Sequence, residues 1–328
     1  MIEYAKDIIL NSNISIRRNI KGFDFPTTIT DDDSVRIVDM IKEIYPGEVI
    51  LLEDLDEKTT TKLINDMVLS EDCHSKLAQI AIIFKDDYIL TINDRDHIAI
   101  NVSDFDMNIN KAYRICLEVE KELDEKIEFA FSPEYGYLTS DARNAGSGVE
   151  ARLKMFLFAL VDPEETYYGF KQTMMTQAMY ATRYIPKYYD KYAEDIYLVK
   201  NFGNYRPDMD QYIADMGGKI DSLVRNERRF RRDYQILNKI SDEDIIEEIN
   251  ISLNNLNSGK LISLNTIARE LYKLKKYNDL GFNTDLTNNE IDYLIFNLTK
   301  SGCKGKKDPQ RIEFLNSYMK ERQWKLTD

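Results

Sequence analysis

Between Ile80 and Val102 the chain carries three strand-like runs in close succession, and no other stretch restricts the fold as tightly. Ile80 to Phe84 and Tyr88 to Ile92 are rich in β-branched and aromatic residues and are joined by Lys85, Asp86 and Asp87. That combination predicts a β-hairpin. Ile98, Ile100 and Val102 alternate with Ala99 and Asn101, which predicts a third strand. The period then changes. Within Lys111 to Ile127, the residues Ala112, Ile115, Val119, Leu123 and Ile127 fall on one helical face, with Glu and Lys on the other. A hairpin followed at once by an amphipathic helix predicts a mixed α+β fold.

The flanks extend this reading. Phe129-Ala-Phe131 returns to strand character, and Asn144 to Gly148 reads as a loop. The apolar stretch from Val149 to Val161 reads as a buried helix that ends before Pro163. From Ser241 onward the pattern is helical. Ser241 is placed to cap a helix with Asp244 at its third position, and Gly259 lies just past the expected end. Thr287 and Glu290 form a capping-box spacing ahead of Ile291, Leu294, Ile295 and Leu298. The expected division is a mixed α/β part over 1–238 and a helical part over 239–328. Internal repeats and Pro- or Gly-rich linkers are absent.

Composition narrows the function classes. The chain has 328 residues, 43% hydrophobic and 31% charged, enough for one large or two modest cores. A formal net charge of −13 argues against non-specific nucleic-acid binding, which needs a basic footprint. The absence of an eighteen-residue apolar run argues against a membrane span. The start, MIEYAKDIILNSN, has acids and no basic opening, so no signal peptide is expected. Cys73, Cys116 and Cys303 are widely spaced and odd in number. They predict neither a disulfide framework nor a zinc site, and a reducing cytoplasm is the expected setting. With only His74 and His97 available, no metal site is expected.

Several segments, in one order, resemble the ATP:guanido phosphotransferases, a family that includes phosphagen kinases and bacterial protein-arginine kinases. Ser15 to Pro26 resembles the opening motif S-S-R-I-R-L-A-R-N…F-P. Asn93 to Ile100 resembles N-E-E-D-H-I-R-I. Tyr137 to Arg152 resembles Y-L-T-S-C-P-T-N-x-G-T-G-L-R-A-S. Weaker likenesses continue through Asp221 to Arg228 and Tyr277 to Gly281, so the resemblance spans nearly the whole chain. It is similar to the bacterial members, which lack the N-terminal helical domain of the animal enzymes. The resemblance implies an antiparallel sheet flanked by helices and a helical C-terminal region that supports a homodimer.

The same resemblance assigns roles. Phosphoryl transfer to a guanidinium needs the triphosphate charge neutralised and the guanidinium aligned and relieved of a proton. The family supplies arginines with magnesium for the first task and glutamates, with a cysteine in many members, for the second. Carried over by position, two phosphate-binding arginines fall on Asn13 and Ser15, a third on Ala99 and a fourth on Glu150. The catalytic glutamate falls on Arg95 and the cysteine on Asp141. A later R-G-x-x-G-E loop is matched to Lys200 through Asn204, with Lys for Arg and Asn for Glu. Losing one charge-stabilising donor costs ~2–4 kcal/mol at the transition state. The expectation is therefore a pseudokinase with a binding or regulatory role and no cofactor.

The alternative is an active Mg-ATP-dependent kinase with a rearranged site, in which Arg17, Arg95, Arg143 and Arg152 form a substitute phosphate cradle. Asp141 then either takes a guanidinium proton or pairs with Arg95; the ion pair is the expectation. His97 reads as a structural histidine. Lys307 to Ile312 resembles the family's phosphoarginine-binding R-D-x-x-R-A motif through Asp308 and Arg311, but an ordinary charged helix start with Pro309 in its first turn is the favoured reading. Tyr167, Tyr168, Tyr180, Tyr184, Tyr188, Tyr189, Tyr192 and Tyr197 either edge a core or face a partner, and Arg225 to Arg232 is a local basic cluster. The partners implied by resemblance are proteins: a related arginine kinase, an arginine-phosphorylated protein or a stress-response regulator.

Overall fold

The computed structural model describes residues 5–73, 78–105, 108–161, 166–184, 195–202, 208–298 and 307–327. In chain order the first part forms β1 (Ile9–Arg18), α1 (Asp31–Ile44), β2 (Ile50–Leu51), α2 (Glu57–Asn65), β3 (Ala81–Phe84), β4 (Ile89–Ile92), β5 (Ile98–Ser103) and α3 (Ile109–Asp124). It continues through β6 (Phe131–Ser132), β7 (Gly136–Tyr137), β8 (Val149–Phe156), α4 (Tyr167–Thr176), β9 (Met179–Arg183), β10 (Ile196–Asn201) and α5 (Met209–Arg232). The remainder is helical: α6 (Tyr234–Asn238), α7 (Asp242–Ser258), α8 (Leu264–Asp279), α9 (Asn288–Asn297) and α10 (Asp308–Arg322). Among the described residues no helix is long and apolar enough to cross a membrane.

The architecture is an antiparallel eight-stranded sheet flanked by helices and followed by a helical region. Strand order is β2-β3-β4-β5-β1-β8-β10-β9, and β6 pairs with β7 apart from it. The hairpin expected around Lys85 is β3 paired with β4, and the third strand is β5. The stretch from Val149 is a correction. It forms strand β8 rather than a helix, paired with β1 from Ile9↔Met155 to Ile16↔Val149. Val149, Ala151, Leu153 and Met155 alternate with Glu150, Arg152 and Lys154, a period of two that suits a strand. All eight residues of β8 are buried, so the polar ones have to be satisfied within the fold.

One face of the sheet is an ordinary core. Ile14, Ile16, Ile98, Ile100, Ala151 and Leu153 are fully or almost fully buried. Helix α3 packs on β1 and β5 through this face, and the Cys116 thiol lies 3.7 Å from the Ile100 carbonyl oxygen. Asn108 caps α3 by accepting from the Lys111 backbone N–H at 3.2 Å. The other face is polar yet buried. Registers bring Asn13 beside Ser103 and Arg152, Ser15 beside Asn101 and Glu150, and Arg17 beside Ala99. Near β3, Leu63, Val68, Leu69 and Ile82 form an apolar cluster with the turn after α2.

The chain packs as two compact units. The first comprises Met1–Met155, Gly169–Thr182 and Leu198–Leu223, the second Phe156–Tyr168, Arg183–Tyr197 and Val224–Asp328. This division is discontinuous in sequence. Phe158 packs edge-on against Tyr234 within the second unit, so the end of β8 and helix α6 share that core. Inside it, the buried Glu227 carboxylate accepts from the Ala159 and Leu160 backbone N–H groups and from Arg231 Nε at 2.8 Å. Arg231 also reaches Asp279 at 3.2 Å and lies 4.4 Å over the Phe158 ring. One arginine of the basic cluster is thus internal. The capping box of Ser241 and Asp244 and the left-handed Gly259 form as expected.

Candidate functional site

Three strand segments build the site on the polar face of the first unit. Period-two alternation aims Asn13, Ser15 and Arg17 from β1, Ala99 and Asn101 from β5, and Glu150, Arg152 and Lys154 from β8 to the same side. A tight approach holds the upper end. Gly148 has φ +67, and a Cβ there would lie 2.5 Å from the Arg17 carbonyl oxygen. Glycine lets β8 reach Arg17, whose N–H donates to the Gly148 carbonyl at 2.9 Å.

Glu150 is the hub. Arg17 donates to its Oε2 from Nε at 3.2 Å and lies 3.0 Å away through Nη2. Arg95 Nη1 and Arg152 Nε each stand 3.6 Å from the same oxygen. Burial pushes the Glu150 carboxyl upward, but Arg152, Arg17, Arg95 and Lys200 outweigh it and hold the pKa far below the usual carboxylate range. Arg17, only 2% exposed, is held charged against burial by Glu150, Asp96 and Asp94.

The remaining acids are engaged locally. Asp96 accepts from Asn19 Nδ2 at 2.8 Å and from the Ser140 N–H at 2.7 Å, with Arg17 3.6 Å away. Asp94 accepts from the Ser70 N–H at 2.8 Å and from the Ser70 hydroxyl. The turn after α2 closes over the deep cations. Arg152 donates to Asn13 Oδ1 at 3.0 Å and to the Met67 carbonyl. Lys154 donates to the Asn65 carbonyl at 2.7 Å. Burial lowers Arg152 to about 9 and Lys154 to about 8. Met67 holds a left-handed backbone, φ +62, a conformation that costs a non-glycine residue ~1 kcal/mol or more.

The family positions can now be placed. Asn13 and Ser15 are buried, Asn13 bonded to Ser103 and Arg152, and Ser15 reaching the Glu150 carbonyl at 3.5 Å. Ala99 is a small buried strand residue opposite Arg17. Arg95 and Glu150, to which the resemblance assigns a family glutamate and a family arginine, stand 3.6 Å apart as an ion pair. The expected Asp141–Arg95 pair is a correction. Asp141 instead grips Arg143 two residues along, with Nε at 3.0 Å and Nη2 at 2.7 Å, because the short turn Ala142–Asn144 folds Arg143 back onto it. Arg143 therefore stands at the exposed rim, away from the Arg17–Arg152 cluster's direct contacts with Glu150.

His97 is structural. Its Nδ1 accepts from the Ile20 N–H at 3.0 Å, so Nε2 carries the proton toward the Asp24 carbonyl at 2.8 Å. Burial lowers its pKa. Lys200 and Asn201 end strand β10 rather than lying in a loop, while residues 203–207 lie outside the described residues. Asn201 is pinned by the Ala151 N–H and the Val149 carbonyl, both at 2.9 Å. Lys200 is lowered by burial, partly offset by Glu150, and its Nζ lies 5.6 Å over the Tyr180 ring.

In the second unit Asp308 is exposed and Arg311 is 1% exposed. Arg311 donates to the Leu298 carbonyl and to Asp308. Pro309 sits in the first turn of α10. Of the tyrosines, Tyr197 is buried, Tyr168 is exposed, and Tyr188, Tyr189 and Tyr192 lie outside the described residues. Sequence reasoning missed Lys154, Asp94 and the central place of Glu150. The alternation in 149–155 was the signal for the first and last.

Comparison with known proteins agrees with this fold. A family model, ATP:guanido phosphotransferase, C-terminal catalytic domain, matches residues 33–229. A protein-arginine kinase of Staphylococcus haemolyticus is 23% identical over 295 residues, covering 87% of this chain and 85% of its own. One from Clostridium novyi is 25% identical over 307 residues, covering 89% and 85%. In fold, the duplicated taurocyamine kinase of Schistosoma mansoni aligns with TM-score 0.57 at 18% identity over 70% of this chain, which spans about a third (34%) of that longer protein. A lombricine kinase aligns with TM-score 0.54 at 15% identity, covering 73% and 70% of the two chains. With a match across more than half of its 328 residues and a sheet of the same fold, this chain belongs to the ATP:guanido phosphotransferase family.

Proposed function

We propose that this protein is a protein-arginine-kinase-like pseudokinase that works by binding rather than by phosphoryl transfer. The observation that supports the reading is the Arg95–Glu150 ion pair at 3.6 Å, at two positions to which the resemblance assigns a proton acceptor and a phosphate-binding arginine. An arginine does not deprotonate to act as a base at neutral pH. A carboxylate held ionised repels a triphosphate instead of clamping it. At ~2–4 kcal/mol for each lost charge-stabilising donor, Asn13, Ser15, Ala99 and Glu150 together leave little of the family's acceleration, even with non-additivity.

The partners that fit this reading are cytoplasmic proteins of an arginine-phosphorylation system: a related kinase, a phosphorylated client or a regulator. Asp308 and Arg311 remain a proposed phosphoarginine contact, which requires Arg311 to exchange its Leu298 carbonyl for the ligand. A second reading, an active kinase, rests on the convergence of Arg17, Arg95 and Arg152. The test is incubation of pure protein with Mg-[γ-³²P]ATP and an arginine-rich acceptor. The pseudokinase reading expects no acid-labile label above a protein-free control. Label that disappears on Arg17→Ala would establish the active kinase.

A further inference from the structure

We propose that the hairpin formed by β6 and β7 is a docking surface for a cationic, arginine-bearing segment of a partner protein. The inference goes beyond the reading above and does not depend on whether the site transfers phosphate.

Phe131 is 58% exposed and Tyr135 57%, although the hairpin that carries them is firmly mounted. Its strands pair Phe131 with Tyr137 and Ser132 with Gly136, apart from the main sheet. Tyr137 exchanges backbone hydrogen bonds with Gly146 at 2.9 and 3.0 Å. Gly136, at φ +72, comes so near Gly146 that a Cβ would lie 2.7 Å from its carbonyl oxygen. The Ala130 N–H donates to the Asn19 carbonyl at 2.8 Å. At the tip, the Ser132 hydroxyl accepts from the Glu134 and Tyr135 N–H groups at 3.2 and 3.4 Å. The rings are therefore held in place before any partner arrives, which lowers the ordering cost of binding. Exposed aromatic side chains on a rigid mount have the composition of an interface anchor.

The surrounding charge selects the occupant. Asp124, Glu125, Glu128 and Glu134, in the segment that leads into the hairpin and at its tip, are exposed. The exposed cations beside them are Lys126 and Lys21, and Lys21 is paired with Glu128. A side-chain hydrogen bond with Glu134 raises the Tyr135 phenol. Burial, then Glu120 and Asp124, raise that of Tyr137. Carboxylates thus stand close to the rings. One guanidinium already uses this combination from inside: Arg18 lies 3.5 Å over the Tyr137 ring and 2.9 Å from Glu120. The outer rings offer the same chemistry to a partner. A planar guanidinium can stack on an aromatic face while it pairs with a carboxylate, which a compact ammonium does less well. A purely apolar partner would desolvate the acids without compensation. The chain's net charge of −13 adds long-range attraction for a basic segment.

The test uses full-length protein and two fluorescein-labelled peptides of equal length, oligo-arginine and oligo-lysine. Binding is read by anisotropy at ~0.15 M salt, where attraction to distant charges is largely screened. Wild type should bind oligo-arginine at least about threefold more tightly than oligo-lysine, as stacking on exposed rings predicts. The double variant Phe131→Ser, Tyr135→Ser should lose that preference, and Glu134→Gln should weaken binding of both peptides. Should the double variant unfold, Tyr135→Ser alone decides by the same preference. Equal affinity of wild type for the two peptides overturns the proposal. So does a preference that survives loss of the rings, which would mean that the peptide binds elsewhere on the acidic surface. Tighter binding of a neutral proline-rich peptide, or a wild-type dimer that the ring substitutions dissociate, would assign the rings to another occupant and also overturn it. The outcome is independent of the radiolabel assay. Phosphotransfer by wild type refutes the pseudokinase reading and leaves this surface standing, whereas an absent arginine preference refutes only the surface.

Discussion

The ion pair between Arg17 and Glu150 should be worth far more than its surface counterpart between Arg143 and Asp141. Arg17 is 2% exposed and the Glu150 side chain 9%, against 79% and 42% for the rim pair. Removing one partner of a buried pair leaves a desolvated charge and costs ~3–5 kcal/mol. Arg95, Arg152 and Lys200 remain near Glu150 after Arg17→Gln, so we place the loss at the lower end, ~3 kcal/mol. Arg143→Gln, well solvated, should cost ~0–1 kcal/mol. The assay is urea unfolding, followed by probes confined to the first unit because two compact units need not unfold together. A double-mutant cycle with Glu150→Gln should return a coupling of ~2 kcal/mol, within the range for contacting residues. Equal losses for Arg17→Gln and Arg143→Gln, or a coupling under ~0.5 kcal/mol, would refute the buried-hub account.

Three further outcomes follow from the same geometry. Gly148→Ala should destabilise by ~1–3 kcal/mol, because it combines a left-handed backbone with a Cβ against the Arg17 carbonyl; a neutral effect on urea midpoint would contradict the close approach. Lys154 loses its proton near pH 8 when folded but holds it to ~10.4 when unfolded. The unfolded chain therefore binds more protons across that window, so stability should rise with pH there, and Lys154→Met should abolish the rise. The Cys116 thiol is buried, and burial pushes it up to about 12. It should resist a thiol reagent until the protein unfolds, as mass spectrometry of labelled peptides would show; fast native labelling would be the contrary result.

Much of the sheet could be anticipated because its signals are local. The turn at Lys85 to Asp87 and the alternation at Ile98 to Val102 lie within one hairpin and its neighbour. The caps at Ser241 and Gly259 depend on side chains or φ angles a few residues apart. β8 was harder. Its outward-alternating Glu150, Arg152 and Lys154 look unsuited to a buried strand, and the apolar run to Val161 hides the period. Only the long-range pairing with β1 shows that these charges are buried together and neutralise one another. The same distance explains the site. Arg95 and Glu150 are each visible in the sequence, but their meeting depends on the register of β8 against β1 and on the turn after β4. Asp141 went to Arg143 rather than Arg95 because a local turn reaches it first.

A pseudokinase with this site does not move a γ-phosphoryl group. The most direct measurement is ³¹P NMR of Mg-ATP held with the pure protein and free or protein-bound arginine. The three ATP resonances should persist, and no phosphorus–nitrogen resonance should grow in. Growth of that resonance, abolished by Arg95→Ala or Glu150→Ala, would contradict it.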